Sequence, residues 1–246
     1  MVGNQTIDES EKIGIERNHC IFIPNGVIPE ELEGGNSRKE MEKILDTNIE
    51  NKKVILKIGR FVPHKGVEWF IRNVMPKLPE DYFFVAAGGI VSSNAAGDKN
   101  FYPHCEKAIS ELGLEKRARI IGNISEKDKL ILFNSTDLYI VPNIRIAGSM
   151  EGFGIAAIEG AVCGKVVLAS NLEGLKDAII DGENGFLVEA ENSQAWANKI
   201  VEIMNKDASF RKDFGEKARR YVIKNYSWDH ISKRYLEEIE KTINKK

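Results

Sequence analysis

The chain is poor in the features that mark several protein classes. Its 246 residues hold three cysteines, Cys20, Cys105 and Cys163. An odd number at such wide spacing argues against a disulfide framework or a metal knuckle, and idle thiols in a reducing cytoplasm are the expectation. No apolar run approaches the length that crosses a bilayer. The opening Met-Val-Gly-Asn-Gln-Thr-Ile-Asp-Glu has neither the basic stretch nor the apolar core of a secretory signal. Charge of one sign is also lacking. Lys and Arg number 35 against 37 Asp and Glu, a formal net charge of −2. That gives no global pull toward nucleic acid or anionic membrane. The four histidines (His19, His64, His104 and His230) have no metal-ligand spacing, and no Asp-x-Asp pair occurs. The Gly-x-Gly-x-x-Gly dinucleotide signature is missing from the strand–helix turns, which argues against a nicotinamide oxidoreductase. There is no internal repeat and no low-complexity segment.

What is present is alternation. Val54–Gly59, Tyr82–Ala87, Ala118–Ile121, Asp137–Val141, Val166–Ala169 and Phe186–Val188 are short apolar runs, several rich in β-branched residues. Between them, helical spacing predicts helices over Gly66–Leu78, Tyr102–Leu112, Glu126–Phe133 and Leu175–Ile180, with another after Gly154. Three amphipathic helices are expected over 193–204, 207–225 and 228–243. Strands this apolar, separated by helices, predict a parallel sheet covered on both faces. The fold class is therefore α/β, a single doubly wound, Rossmann-like domain. Upstream, a weak helix within 1–18, a short strand Cys20–Val27 ending in a Pro-Asn-Gly turn, and a helix around Arg38–Leu45 complete the expectation.

One stretch carries the chemistry. Residues 148–165 place two carboxylates, Glu151 and Glu159, around Gly152-Phe153-Gly154, and small residues follow from Ile155. The glycines let the backbone bend and let a ligand come close. A helix starting there offers unpaired N–H groups and a partial positive charge to an anion. Eight residues of helix rise roughly 12 Å, so the two glutamates suit opposite ends of a ligand whose anionic middle sits at the helix start. A nucleotide-diphosphate sugar has that layout. A second stretch, Gly59-Arg60-Phe61-Val62-Pro63-His64-Lys65-Gly66, follows the first main strand. Arg60 and Lys65 there could supply a planar fork and a mobile point charge to a diphosphate. A solvated loop is the competing reading for both cations, and a solvated helix face for both glutamates.

Glu-Gly-Phe-Gly-x-x-x-x-Glu, with Gly-Arg-x-x-x-x-Lys-Gly upstream and Ile-Pro-Asn-Gly-Val at residues 23–27, resembles the donor-site motifs of the retaining glycosyltransferases of the GT-B fold, the glycosyl transferases group 1 (family 4) type. The resemblance covers about residues 20–243. It implies that this chain is the C-terminal, donor-binding half. Residues 1–19 would be the tail of a preceding domain or a linker, and 20–246 the nucleotide-sugar domain with its crossover helices. The acceptor-binding half would be missing. By the same resemblance Arg60 and Lys65 bind the donor diphosphate and stabilise it as leaving group. Glu159 binds the ribose hydroxyls, and Glu151 lies near the transferred hexosyl group. Gly59, Gly88, Asn123, Ile124, Gly152, Phe153, Gly154 and Ile155 complete the donor site, the 122–125 loop meeting the base largely through backbone. No metal and no other cofactor are expected.

Departures stand beside it. Ser170–Asp177 differs from the common Gly-Gly-x-Pro-Glu pattern, Asp177 stands at the acidic position, and Asn143–Met150 is longer than the usual link. These bear on donor-sugar identity rather than fold. Arg211, Lys212, Lys217, Arg219, Arg220 and Lys224, beside Phe210, Phe214 and Tyr221, would suit weak contact with an anionic lipid surface at the inner face of the membrane. A solvated face is the competing reading. The leading expectation is the donor half of a hexosyltransferase, inactive by itself. The alternative is a non-catalytic nucleotide-binding or partner subunit completed by another chain.

Overall fold

The computed structural model describes residues 1–91 and 101–244. Helix α1 (Asn4–Lys12) and α2 (Arg38–Leu45) precede the sheet, and six strands follow: β1 (Lys53–Ile58), β2 (Tyr82–Gly88), β3 (Ala118–Gly122), β4 (Leu138–Val141), β5 (Val167–Ser170) and β6 (Phe186–Val188). Helices α3 (Val67–Asn73), α4 (Tyr102–Glu111), α5 (Glu126–Ser135), α6 (Ile155–Val162) and α7 (Leu175–Ala178) lie between strands. Helices α8 (Ser193–Met204), α9 (Ala208–Tyr226) and α10 (Trp228–Asn244) close the chain.

All five strand pairings are parallel, in the order β3-β2-β1-β4-β5-β6. The pattern explains why both faces are apolar. Val54, Leu56 and Ile58 of β1 pack with α2, α5, α6 and α9 on one side. Ile55 packs with α3, α4 and α8 on the other. Order also fixes where a ligand belongs. The chain winds outward from β1 to β3, then returns to β4 on the other flank of β1. At that reversal the loops leaving β1 and β4 part, and a crevice opens at their carboxyl ends.

Two sequence expectations are corrected. Cys20–Val27 is extended chain rather than a strand, held by one bridge from Val27 to Ser227 and by the Ile23 N–H donating to the Met1 carbonyl. Pro24 withholds a donor, so no ladder can propagate, and no turn forms at Asn25-Gly26. The helix expected to Leu78 stops at Asn73, with a single 3₁₀ turn over Met75–Lys77. Pro76 lacks the N–H that another α turn requires.

Helix α1 starts at Gly3, which has no capping side chain. The cap comes from far along the chain: Asp177 accepts from the Asn4 backbone N–H at 2.7 Å and from its side-chain amide at 2.6 Å. A carboxylate at a helix N-terminus satisfies an orphan donor and opposes the dipole. Replacing Asp177 by Ala is expected to lower the unfolding free energy by about 1 kcal/mol, measured by urea denaturation.

Candidate functional site

The loop after β1 is shaped by Gly59 and Gly66. Gly59 has φ +152°, and Gly88 at the end of β2 packs directly against its carbonyl. The close approach at Gly88 is thus to the neighbouring loop's backbone. Gly66 has φ +70° and lies against the carbonyl of Pro142, which joins this loop to the end of β4. Between them stand Arg60, exposed, and Lys65, half-buried.

Lys65 forms an ion pair with Glu151. The Asn143 side-chain amide donates to the same Glu151 oxygen at 2.9 Å. Burial pushes the Glu151 carboxyl upward, but the Lys65 ammonium and the Asn143 amide outweigh it and hold it below the usual carboxylate range. The backbone of Glu151 is fixed as well. Its N–H donates to Glu173 at 2.6 Å and its carbonyl accepts from the Gly174 N–H at 3.0 Å. Glu173 sits in the left-handed region at φ +47°. Burial raises its carboxyl, and the hydrogen bond from the Glu151 N–H offsets only part of that rise. His64 accepts from or donates to Ser149 through Nδ1 at 2.7 Å. Burial, with the Lys65 charge beside it, pushes its imidazole down to about 4.

Helix α6 starts on Gly154 at φ +94°, with no side chain capping it. Its first N–H groups therefore face the crevice without a side-chain acceptor. Gly152 lies between α1 and the 172–175 turn, with Val2 and Thr6 against it. The Phe153 ring points away from the crevice: it is 1% exposed and meets Tyr226 edge-on at 5.5 Å. What Phe153 can offer a ligand is backbone. Ile155 is exposed beside Glu159.

Glu159 has different company from Glu151. Burial raises its carboxyl, and Lys129, whose ammonium is 4.0 Å away, only partly offsets this. Among the described residues nothing donates a hydrogen bond to it. It lines a groove of about 180 Å³ with Gly26, Ile28, Lys129, Ile155 and Trp228. Among the described residues the two glutamates share no hydrogen-bond or ion-pair partner. Asn123 is held at φ +53°, its side chain accepting from the Ile90 N–H at 3.0 Å, and Ile124 packs on the core beneath it. A second cavity of about 440 Å³ opens beyond Glu151, lined by Gln5, Glu9, Gly148, Ser149, Met150 and Glu173.

Sequence reasoning missed Asn143, Glu173 and Lys129. Their local sequence does not mark them as site residues, because each meets its partner only through the fold: Asn143 eight residues from Glu151, Glu173 across 22 and Lys129 across 30. Asp177 is engaged by α1 as described above. Of the six basic residues of α9 suggested to face lipid, three are tied inward and three, Lys212, Arg220 and Lys224, are exposed. Arg211 donates to the Met204 and Lys206 carbonyls, Lys217 to that of Gly182 and Arg219 to that of Val162, while Phe210 and Phe214 stack beside Phe186. Among the described residues no helix is long and apolar enough to cross a membrane, and no group of three or more metal-ligating side chains occurs.

The family described as glycosyl transferases group 1 matches residues 39–236. The D-inositol 3-phosphate glycosyltransferase of Corynebacterium glutamicum (strain R) is 30% identical over 196 residues, covering 78% of this chain and 43% of that protein. A glycosyltransferase from Rickettsia africae ESF-5 superimposes with a TM-score of 0.80 at 25% identity, over 98% of this chain and 62% of its own. Anabaena Alr3699/HepE, solved in complex with UDP and glucose, gives the same TM-score at 21% identity, over 97% of this chain and 62% of its own. The chain spans about half the length of the curated relatives it matches.

Proposed function

The chain belongs to the glycosyl transferases group 1 family, and from that premise we propose that it is the nucleotide-sugar donor-binding part of a retaining hexosyltransferase. The observation that carries this reading is the convergence at one sheet edge of the Arg60–Lys65 loop, the uncapped start of α6, and two glutamates in separate surroundings. The UDP complex of the HepE neighbour supports a nucleoside diphosphate as ligand class.

In this reading the diphosphate lies between Arg60, Lys65 and the first N–H groups of α6. Their charge is opposed to the charge that develops as the sugar–phosphate bond breaks, which is where stabilisation accelerates transfer. No metal is required on charge grounds. Lys65 exchanges its Glu151 partner for phosphate oxygens, and Glu151 is freed to accept from sugar hydroxyls. Glu159, lacking a donor of its own, accepts from the ribose hydroxyls in the groove beside Ile155. The cavity beyond Glu151 receives the hexosyl group and opens toward the acceptor. A further domain or a separate chain supplies the acceptor side, at the cytoplasmic face. The exposed apolar residues Leu236, Ile239 and Ile243 of α10 support such a contact.

The test is a titration of the purified chain with UDP, GDP, ADP and NAD, followed by heat and by melting temperature. One nucleoside diphosphate should raise the melting temperature, as any ligand of the folded state must. Glu159→Ala should weaken that ligand by about tenfold to a hundredfold, the loss of one to two charge-assisted hydrogen bonds. Binding of NAD alone, or equal binding by the variant, would overturn the reading.

A further inference from the structure

Beneath the loop that carries Arg60 and Lys65 lies a charge that no role so far uses. Lys57 is the fifth residue of β1 and is 1% exposed. It shares the sheet face of Ile55, where the alternation of the strand calls for an apolar side chain. Its ammonium makes one hydrogen bond among the described residues, to the Ile58 carbonyl at 2.9 Å. The Tyr139 hydroxyl, at 3.2 Å, donates to that same carbonyl. No carboxylate pairs with Lys57 there. The ammonium turns instead to the carboxyl end of the strand and occupies the space beside Gly59, 2.8 Å from where a Cβ would stand. Gly59 is therefore needed twice, for its positive φ and for the room it leaves to this group.

A buried, singly bonded ammonium is expensive to keep. A methionine of similar volume would fill the same space without that penalty. What faces it is both repulsive and attractive. The charged and titratable groups around Lys57 are Lys65 and His64 from the loop after β1, Glu151 from the loop after β4, and Glu159 from α6, with the Tyr139 hydroxyl from β4. All but the Tyr139 hydroxyl belong to the candidate donor site.

We propose that Lys57 is a third cation of the donor site, held under the Gly59–Lys65 loop, whose charge helps hold the donor's diphosphate against Arg60 and Lys65. The inference rests on the donor-site reading above. It adds a linkage to protons. Burial, and then the Lys65 charge, push the Lys57 ammonium down to about 7, with Glu151 and Glu159 pulling the other way. A diphosphate brought to the loop adds negative charge in a water-poor setting and favours the protonated form. Binding near and above neutral pH then takes up a proton at Lys57, and affinity falls as the pH rises past that point.

The experiment compares the wild-type chain with Lys57→Met, using UDP, GDP, ADP and inorganic pyrophosphate as probes. Calorimetry at pH 7.5 in buffers of different ionisation heat reads the protons taken up, and melting temperature reads folding. The variant should melt at or above the wild type, bind the preferred probe at least tenfold more weakly at pH 6.5, and take up fewer protons. Proton exchange by the nucleotide itself is common to both proteins and drops out of the difference. Equal affinity and equal proton uptake would overturn the role of Lys57 and leave the donor site standing. Binding of no probe by either protein would overturn the donor site, and Lys57 with it. Should the variant melt lower, the wild type decides alone. Nitrogen-detected resonance of the Lys57 ammonium should show its titration midpoint rising when UDP is added, and an unmoved midpoint would overturn the proposal.

Discussion

Replacing Lys65 by Met should weaken nucleoside diphosphate binding about a hundredfold and lower the unfolding free energy by about 3 kcal/mol at pH 7. The two losses have different origins. The first follows from removing a mobile cation from the place where the phosphates would lie. The second follows from what the cation leaves behind. The Glu151 carboxylate keeps one side-chain donor, Asn143, and stays mostly out of water. Removing one partner of such a pair strands the other, which is worse than never having the pair. The pH dependence separates the two. In the wild type the folded Glu151 lies below its ordinary value of 4.5. The pair therefore contributes its full stability above that value and loses it as pH falls through the lower, folded one. In Lys65→Met burial is opposed only by Asn143 and the more remote Lys57 charge, the carboxyl rises, and the sign of the dependence near pH 5 reverses. Stability against urea between pH 3 and 7 checks this. The double variant Lys65→Met with Glu151→Gln should recover much of the lost stability and none of the binding. A double variant no more stable than the single one would show that the pair does not couple.

The same pair shows how far a sequence can be read. Glu151 and Lys65 are named by local spacing, one beside a Gly-Phe-Gly turn and one closing a loop after an apolar strand. Their contact across 86 positions follows only from the reversal of the sheet between β1 and β4. Strands and most helices were legible because their signal is local: an apolar run, or a period of 3.6. Boundaries failed where a single residue decided them, as Pro76 did for α3 and Pro24 for the extended segment before Val27. Lys57 is not singled out in the sequence, where it stands inside a run read only as apolar. A lysine inside an apolar strand invites the assumption that its charge reaches solvent. The structure buries it because the strand's end, and not its face, is where the ammonium finds its carbonyl and its charged neighbours. Asp177 is a further case. As a sequence position it reads as part of the ligand site, yet its carboxylate caps a helix that begins 173 residues earlier.

The seam between the two site loops is the most fragile part of this arrangement, and Gly66→Ala should expose it. A Cβ at Gly66 would stand 1.9 Å from the Pro142 carbonyl oxygen and 2.9 Å from its carbon. Both are backbone atoms and cannot rotate away. The φ of +70° adds its own strain. Together these should lower stability by about 4 kcal/mol, at the upper end for one substitution. Gly148→Ala is the control, since it shares the conformation, φ +76°, with nothing within 4 Å. It carries the backbone strain alone and should lose only about 1 to 2 kcal/mol. Urea denaturation of both variants separates steric contact from backbone strain. Equal losses would mean that the seam yields, and that the loops after β1 and β4 are not rigidly joined at Pro142. The unequal result has a functional corollary. Lys65 precedes Gly66, and the Ile144 N–H donates to the His64 carbonyl at 3.0 Å across the same seam. Opening it moves Lys65 away from Glu151 without changing either residue. Gly66→Ala should then lose nucleotide affinity even under conditions where it is fully folded, while Gly148→Ala, whose added methyl meets no atom of that seam, should keep most of it.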